Sequence, residues 1–152
     1  MRKKEKEITD IKEIEQIIAG AEVCRIGFVD GDEPYIVPVS FGYESNAIYF
    51  HSAPEGRKVN LIKESGKVCF ELDTDTEIVQ SDNACDWTTK YRSVMGTGRA
   101  SLLADNEEKI RGLNVIMKHY SSTAFQFPPA KLDIVLVVRI DIESISGKKA
   151  GY

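Results

Sequence analysis

The chain reverses direction twice between Val23 and Ser52, and that limits its fold more than any other feature. Val23-Cys24-Arg25-Ile26-Gly27-Phe28-Val29 reads as a strand closed by Asp30-Gly31-Asp32, which has the chemistry of a hairpin turn. A second strand runs from about Tyr35 to Tyr43. Glu44-Ser45-Asn46 turns it into a third, Ala47-Ile48-Tyr49-Phe50-His51-Ser52. Turns this short join antiparallel strands only, because a parallel crossover needs roughly a dozen residues or more. The stretch is a meander, and it argues against a doubly wound sheet.

The remaining elements fit round it. Asp10 and Glu13 can form a capping box ahead of an Ile11, Ile14, Ile17, Ile18 stripe, and Gly20 suits the helix end. After Ala53-Pro54-Glu55-Gly56 a short helix begins at Arg57 and carries Val59, Leu61 and Ile62 to Gly66. Lys67 to Asp73 has the near-continuous apolar character of a central strand. Thr74 to Lys90 is polar and shows no clear period. Tyr91 to Leu103 reads as a long strand in which Gly96 and Gly98 mark a bulge, a bend or a close backbone approach. Asp105 and Glu108 open a third helix, with Ile110, Leu113, Ile116 and Met117 on one face. The Pro-containing loop Ser121 to Lys131 leads to a last strand from about Leu132 to Ile145. The expected class is mainly β: a six-stranded antiparallel barrel with three peripheral helices, closed so that no long edge is exposed. No repeat or linker divides residues 1–152, so one domain is expected.

Composition narrows the partners. The 152 residues carry a formal charge of −4, which speaks against bulk nucleic-acid binding but not against a local anion site. Three cysteines without a paired spacing suit a reducing, cytoplasmic setting. Cys24 and Cys69 read as small core residues and Cys85 as exposed. The charged start Met1-Arg2-Lys3-Lys4-Glu5-Lys6-Glu7 is unlike a signal peptide, and no apolar run approaches a membrane span. The cysteines and histidines lack metal-ligand spacing, so no metal is expected. Gly96-Thr97-Gly98 lacks the third glycine of a dinucleotide loop and lies within a strand.

The chemistry concentrates in Tyr49-Phe50-His51-Ser52-Ala53-Pro54-Glu55-Gly56-Arg57-Lys58. A strand ends in imidazole and hydroxyl groups, turns, and starts a helix with two cations. Helix N-termini offer free N–H groups and a positive dipole end, so Arg57 and Lys58 there make a compact phosphate site. The alternative is a solvated helix face whose cations touch nothing. His51 suits proton delivery or ligand binding, or a backbone bond at the strand end. His119 reads as a C-terminal helix cation. Pro34 and Pro38 cannot donate to a ladder. Pro38 therefore marks an edge, a bulge, or a place where a flat ring lies against Val37 and Val39.

Together these motifs resemble the pyridoxamine 5′-phosphate oxidase-like, FMN-binding split-barrel family, in its nitroimidazole-resistance branch. The resemblance rests on Pro34 to Tyr43, Ile48 to Lys58, Ala84 to Thr88 and Tyr91 to Ala100, and spans about Arg2 to Lys148. It implies a six-stranded split β-barrel and a homodimer with FMN at the subunit interface. Val37, Pro38 and Val39 would meet the flavin ring. His51, Ser52, Arg57 and Lys58 would hold the ribityl phosphate end. Ser93 would reach the cofactor from the long strand, and His51 would be the catalytic candidate. The activity implied is FMN-dependent reduction of a small electron-poor compound such as a nitroheterocycle. A non-catalytic flavin or haem carrier of the same fold is the alternative. The C-terminal Arg and His residues with which pyridoxamine phosphate oxidases grip their substrate are missing from Ser144 to Tyr152, which speaks against vitamin B6 oxidation.

Overall fold

A computed structural model describes residues 4–152; Met1, Arg2 and Lys3, part of the charged start, lie outside the described residues. Among the described residues there are eight strands: β1 (Glu7–Ile8), β2 (Cys24–Asp30), β3 (Glu33–Val39), β4 (Phe41–Glu44), β5 (Ala47–Ser52), β6 (Lys67–Val79), β7 (Thr88–Leu102) and β8 (Leu136–Ala150). The helices are α1 (Ile11–Gly20), α2 (Arg57–Glu64), α3 (Asn106–Tyr120) and the single turn α4 (Pro129–Leu132). All pairings are antiparallel, in the order β3-β2-β6-β7-β8-β5-β4, with β1 added to β8.

The strand expected over Tyr35 to Tyr43 is broken at Ser40, and this break organises the fold. Its halves β3 and β4 are the two ends of the sheet, yet only Ser40 separates them. The sheet curls until its ends meet at one residue without pairing, which makes a split barrel. It is not closed, so β3 stays an edge strand, the position that tolerates Pro34 and Pro38. The expected six strands become eight through this break and the two-residue β1.

Period-2 alternation fills the barrel. Ile26, Phe41, Phe50, Phe70, Leu72, Val94, Val138 and Ile140 are fully or almost fully buried in one cluster, joined by Ile14, Ile17 and Ile18 of α1. A smaller cluster seats Val115 and Ile116 of α3 on Ala47 and Tyr49 of β5. Asp10 and Asp105 cap α1 and α3 by accepting from the Lys12 and Glu107 backbone N–H groups. Glu13, the expected second half of the first box, instead accepts from Lys149 Nζ at 2.7 Å. The register slips between Thr97 and Gly98, where an added Cβ on Gly98 would lie 2.4 Å from the Asp141 carbonyl oxygen.

Two stretches differ from expectation. Polar Thr74 to Lys90 is mostly a hairpin: β6 runs to Val79 and β7 starts at Thr88, with a bulge between Thr74 and Glu77 where Asp75 takes φ 56°. This arm projects from the barrel and carries the exposed Ile78 and Trp87. A strand with water on both faces needs no apolar alternation, so none was visible. β8 starts later and ends later than expected, because β7 offers it a ladder as far as the Tyr91–Ala150 pair.

Candidate functional site

β5 delivers its last two residues to opposite faces: His51 is exposed and Ser52 is buried. Ser52 is 4% exposed, and among the described residues its Oγ is the one buried side-chain polar atom without a hydrogen-bond partner. An unsatisfied buried hydroxyl costs about 1–3 kcal/mol, so it marks a place where a ligand atom would be welcome.

Just beyond, Gly56 takes φ 134°, a conformation side chains disfavour, and caps α2 without a side-chain bond. The Val59 and Asn60 N–H groups bond back to the Gly56 carbonyl, whereas those of Arg57 and Lys58 find no backbone partner. Unlike α1 and α3, α2 presents free donors and an unneutralised dipole end.

The two cations behave differently. Arg57 Nε donates to Asp30 Oδ2 at 2.5 Å and Nη2 to Glu33 Oε2 at 3.1 Å, while its guanidinium lies 4.6 Å from the Tyr35 ring centroid. The bond to Asp30 pushes the Arg57 pKa above its ordinary value. Lys58 is half-buried, with Nζ 5.9 Å from the Phe50 ring, and makes no ion pair among the described residues.

On β3, Val39 is buried, Val37 half-buried and Pro38 exposed, with Pro38 opposite Arg25 of β2. Arg25 bridges Glu71 and Asp73 at 3.1 and 2.7 Å. Desolvation, then the neighbouring Asp73 charge, raises the Glu71 pKa. Ser93 is buried on β7 between Asp73 and Lys148.

The fold thus gathers His51, Ser52, Arg57 and Lys58 at one turn, and the Arg57–Tyr35 contact draws β3 towards it. Ser93 stands apart. Ser52 pairs with Leu136 and Ser93 with Lys148, twelve positions further along β8. That is roughly 40 Å of strand.

Three findings lay outside the sequence reading or correct it. Gly27, Ile36, Cys69 and Thr97 are shared by two adjoining grooves of about 650 and 410 Å³ on the outer face of β2, β3, β6 and β7. The same face exposes Val29, Ile36 and Met95. The signal available was their outward parity on strands whose inward positions are already apolar. Cys24 is in the core as expected, but Cys69 is on this outer face, because Val68 and Phe70 take the inward positions. His119, at the end of α3 as expected, is also a cross-link: its ring Nε2 lies 2.7 Å from the Ala21 carbonyl oxygen and its ring packs on Phe41.

A family model described as pyridoxamine 5′-phosphate oxidase matches residues 10–149. A candidate 5-nitroimidazole antibiotic resistance protein from Bacteroides thetaiotaomicron VPI-5482 is 32% identical, with a TM-score of 0.85 over 94% of this chain and 86% of that one. The FAD and haem binding protein of Mycobacterium smegmatis superposes with a TM-score of 0.87 at 15% identity, over 97% of this chain and 74% of that one. At that identity it speaks for the fold alone. An uncharacterised Rhizobium meliloti (strain 1021) protein is 28% identical over 88 residues, 58% of this chain and 51% of that protein. The match thus spans about half the length of this curated relative. A family match running from the cap of α1 almost to the end of β8, on a sheet whose ends meet at Ser40, places the chain in the pyridoxamine 5′-phosphate oxidase family.

Proposed function

We propose that this chain is a flavin-binding oxidoreductase that holds FMN and reduces a small electron-poor compound of the nitroheterocycle class. The observation that carries the reading is the partnerless buried Ser52 Oγ, five residues before the start of α2, which has no side-chain cap. That donor set suits a phosphate dianion: the Ser52 hydroxyl, the free N–H groups of Arg57 and Lys58, and the Lys58 ammonium. Val37, Pro38 and Val39 line the flavin ring along the open edge of β3. Once reduced by an external two-electron donor, a bound flavin would pass its electrons to the acceptor, and the protein would supply orientation and electrostatics.

His51 is exposed beside this turn, and its ring makes no hydrogen bond to the described residues. It orients the acceptor and donates a proton to the reduced product. Ser93 completes the site from a second copy, since within one chain it lies far along β8 from Ser52. The apolar outer face around Ile36 and Met95 is the surface through which the copies associate.

The test is a spectrum of the purified protein after saturation with FMN, followed by anaerobic reduction and addition of a 5-nitroimidazole. Flavin bands that bleach and then return on addition of the acceptor are expected. Reduced flavin that no acceptor reoxidises, or a haem band in its place, would make the chain a carrier. A His51→Asn variant should keep its flavin and lose most of the reoxidation rate.

A further inference from the structure

We infer that Phe125 and Ile134, on the loop between α3 and β8, are specificity-determining residues that form the wall of the acceptor site beside His51. They select an uncharged, flat, apolar acceptor. The inference rests on the flavin reading above. Ala47, Tyr49 and His51 share one face of β5 by alternation. α3 packs on the first two through Val115 and Ile116 and leaves His51 exposed. The chain that leaves α3 is then fixed on both flanks of that imidazole. On one side the Tyr120 hydroxyl accepts from the Phe41 N–H, and Phe41 pairs with Phe50, the residue before His51. On the other, Leu136 and Val137 pair with Ser52 and His51. β5 lies between β4 and β8 in the sheet, so the two anchors stand about 10 Å apart with the end of β5 between them.

The loop is held in shape. Leu132 is buried, its carbonyl accepts from Lys109 Nζ at 3.2 Å, and Pro128 and Pro129 fix φ where α4 begins. Phe125 and Ile134 stay exposed and belong to neither core cluster, although buried Leu132 lies between them in sequence. Residues 121–135 carry one cation and one anion, Lys131 and Asp133, so this wall does not attract an anionic acceptor. Apolar surface beside one polar group suits a neutral ring whose own polar group meets His51.

The experiment loads wild type, Phe125→Ser, Ile134→Ser and the double variant with FMN. The oxidised proteins are then titrated with nitrobenzene, read as a shift of the flavin absorption bands. Each single variant should bind nitrobenzene about three- to tenfold more weakly, the loss expected when a few tens of Å² of apolar contact go. FMN affinity, read by flavin fluorescence, should stay at the wild-type value. So should the rate at which ferricyanide, a polyanion that needs no apolar wall, reoxidises the dithionite-reduced protein. Ile78→Ser removes a similarly exposed side chain from the β6–β7 arm and should bind nitrobenzene as wild type does. Unchanged nitrobenzene binding in the double variant, equal weakening by Ile78→Ser, or loss of FMN along with nitrobenzene overturns the wall. A wild-type chain that takes up no FMN overturns the flavin reading instead.

Discussion

The Phe41 backbone N–H donates to a side chain instead of a strand: Tyr120 Oη accepts it at 2.9 Å. The same hydroxyl donates to the Glu22 carbonyl at 2.8 Å. The bond falls one residue past Ser40, where the two ends of the sheet meet, so the last residue of α3 takes up a donor at the barrel's split. Tyr120→Phe removes both bonds and should cost about 1–2 kcal/mol. For a chain of this length that lowers the thermal midpoint by about 2–8 °C, readable by circular dichroism.

Ser52→Ala separates a structural hydroxyl from a ligand-binding one. The Oγ has no protein partner to lose, so the flavin-free variant should be as stable as wild type or slightly more so. Hydrogen bonds to charged groups are worth about 1.5–3 kcal/mol, so FMN affinity should fall about ten- to a hundredfold. Paired urea unfolding and flavin titration give both numbers. A destabilised variant with undiminished affinity would remove Ser52 from the site.

The outer face of the sheet predicts an assembly. Ile36 is 67% exposed and Met95 45% exposed beside the adjoining grooves. If the proposed dimer forms through this face, Ile36→Lys with Met95→Lys should sediment as a single-chain species and bind FMN more weakly than the wild type. A double variant that keeps the wild-type mass would place any interface elsewhere.

Cys24 makes stability fall at alkaline pH. Burial pushes its pKa from 9.0 up to about 12. Above pH 9 the unfolded chain releases this proton while the folded chain keeps it. Ionisation therefore favours unfolding, and the loss accumulates from about pH 9 until the folded thiol itself titrates near 12. The slope from this group approaches about 1.4 kcal/mol per pH unit in that window. Urea unfolding under reducing conditions at pH 9 and 10 should show it in the wild type. A Cys24→Ala variant, less stable at both, should lack that component.

Local chemistry was readable wherever the nearest neighbours in sequence decide it. The Asp10 and Asp105 caps, the turns at Gly31 and Asn46, and burial of Cys24 all follow from short-range pattern. Pro38 on an edge strand follows from its missing donor. The break at Ser40 was not readable, because it is imposed by the curl of the sheet and not by any breaker residue at that position. Nor were the partners of Arg57. Asp30 ends β2 and Glu33 begins β3, and only the folding of these strands beside α2 brings them to the guanidinium. The His119 cross-link was hidden for a similar reason: its acceptor, Ala21, lies far away in sequence.

The β6–β7 arm holds the chain's one tryptophan. Trp87 is 49% exposed, and its indole N–H donates to the Ser81 carbonyl within the same arm. Intrinsic tryptophan emission is consequently an optical reporter of the hairpin and not of the barrel. Its emission would change with the arm's own contacts, and Phe70 and Leu72, which pack the barrel, would go unreported by it.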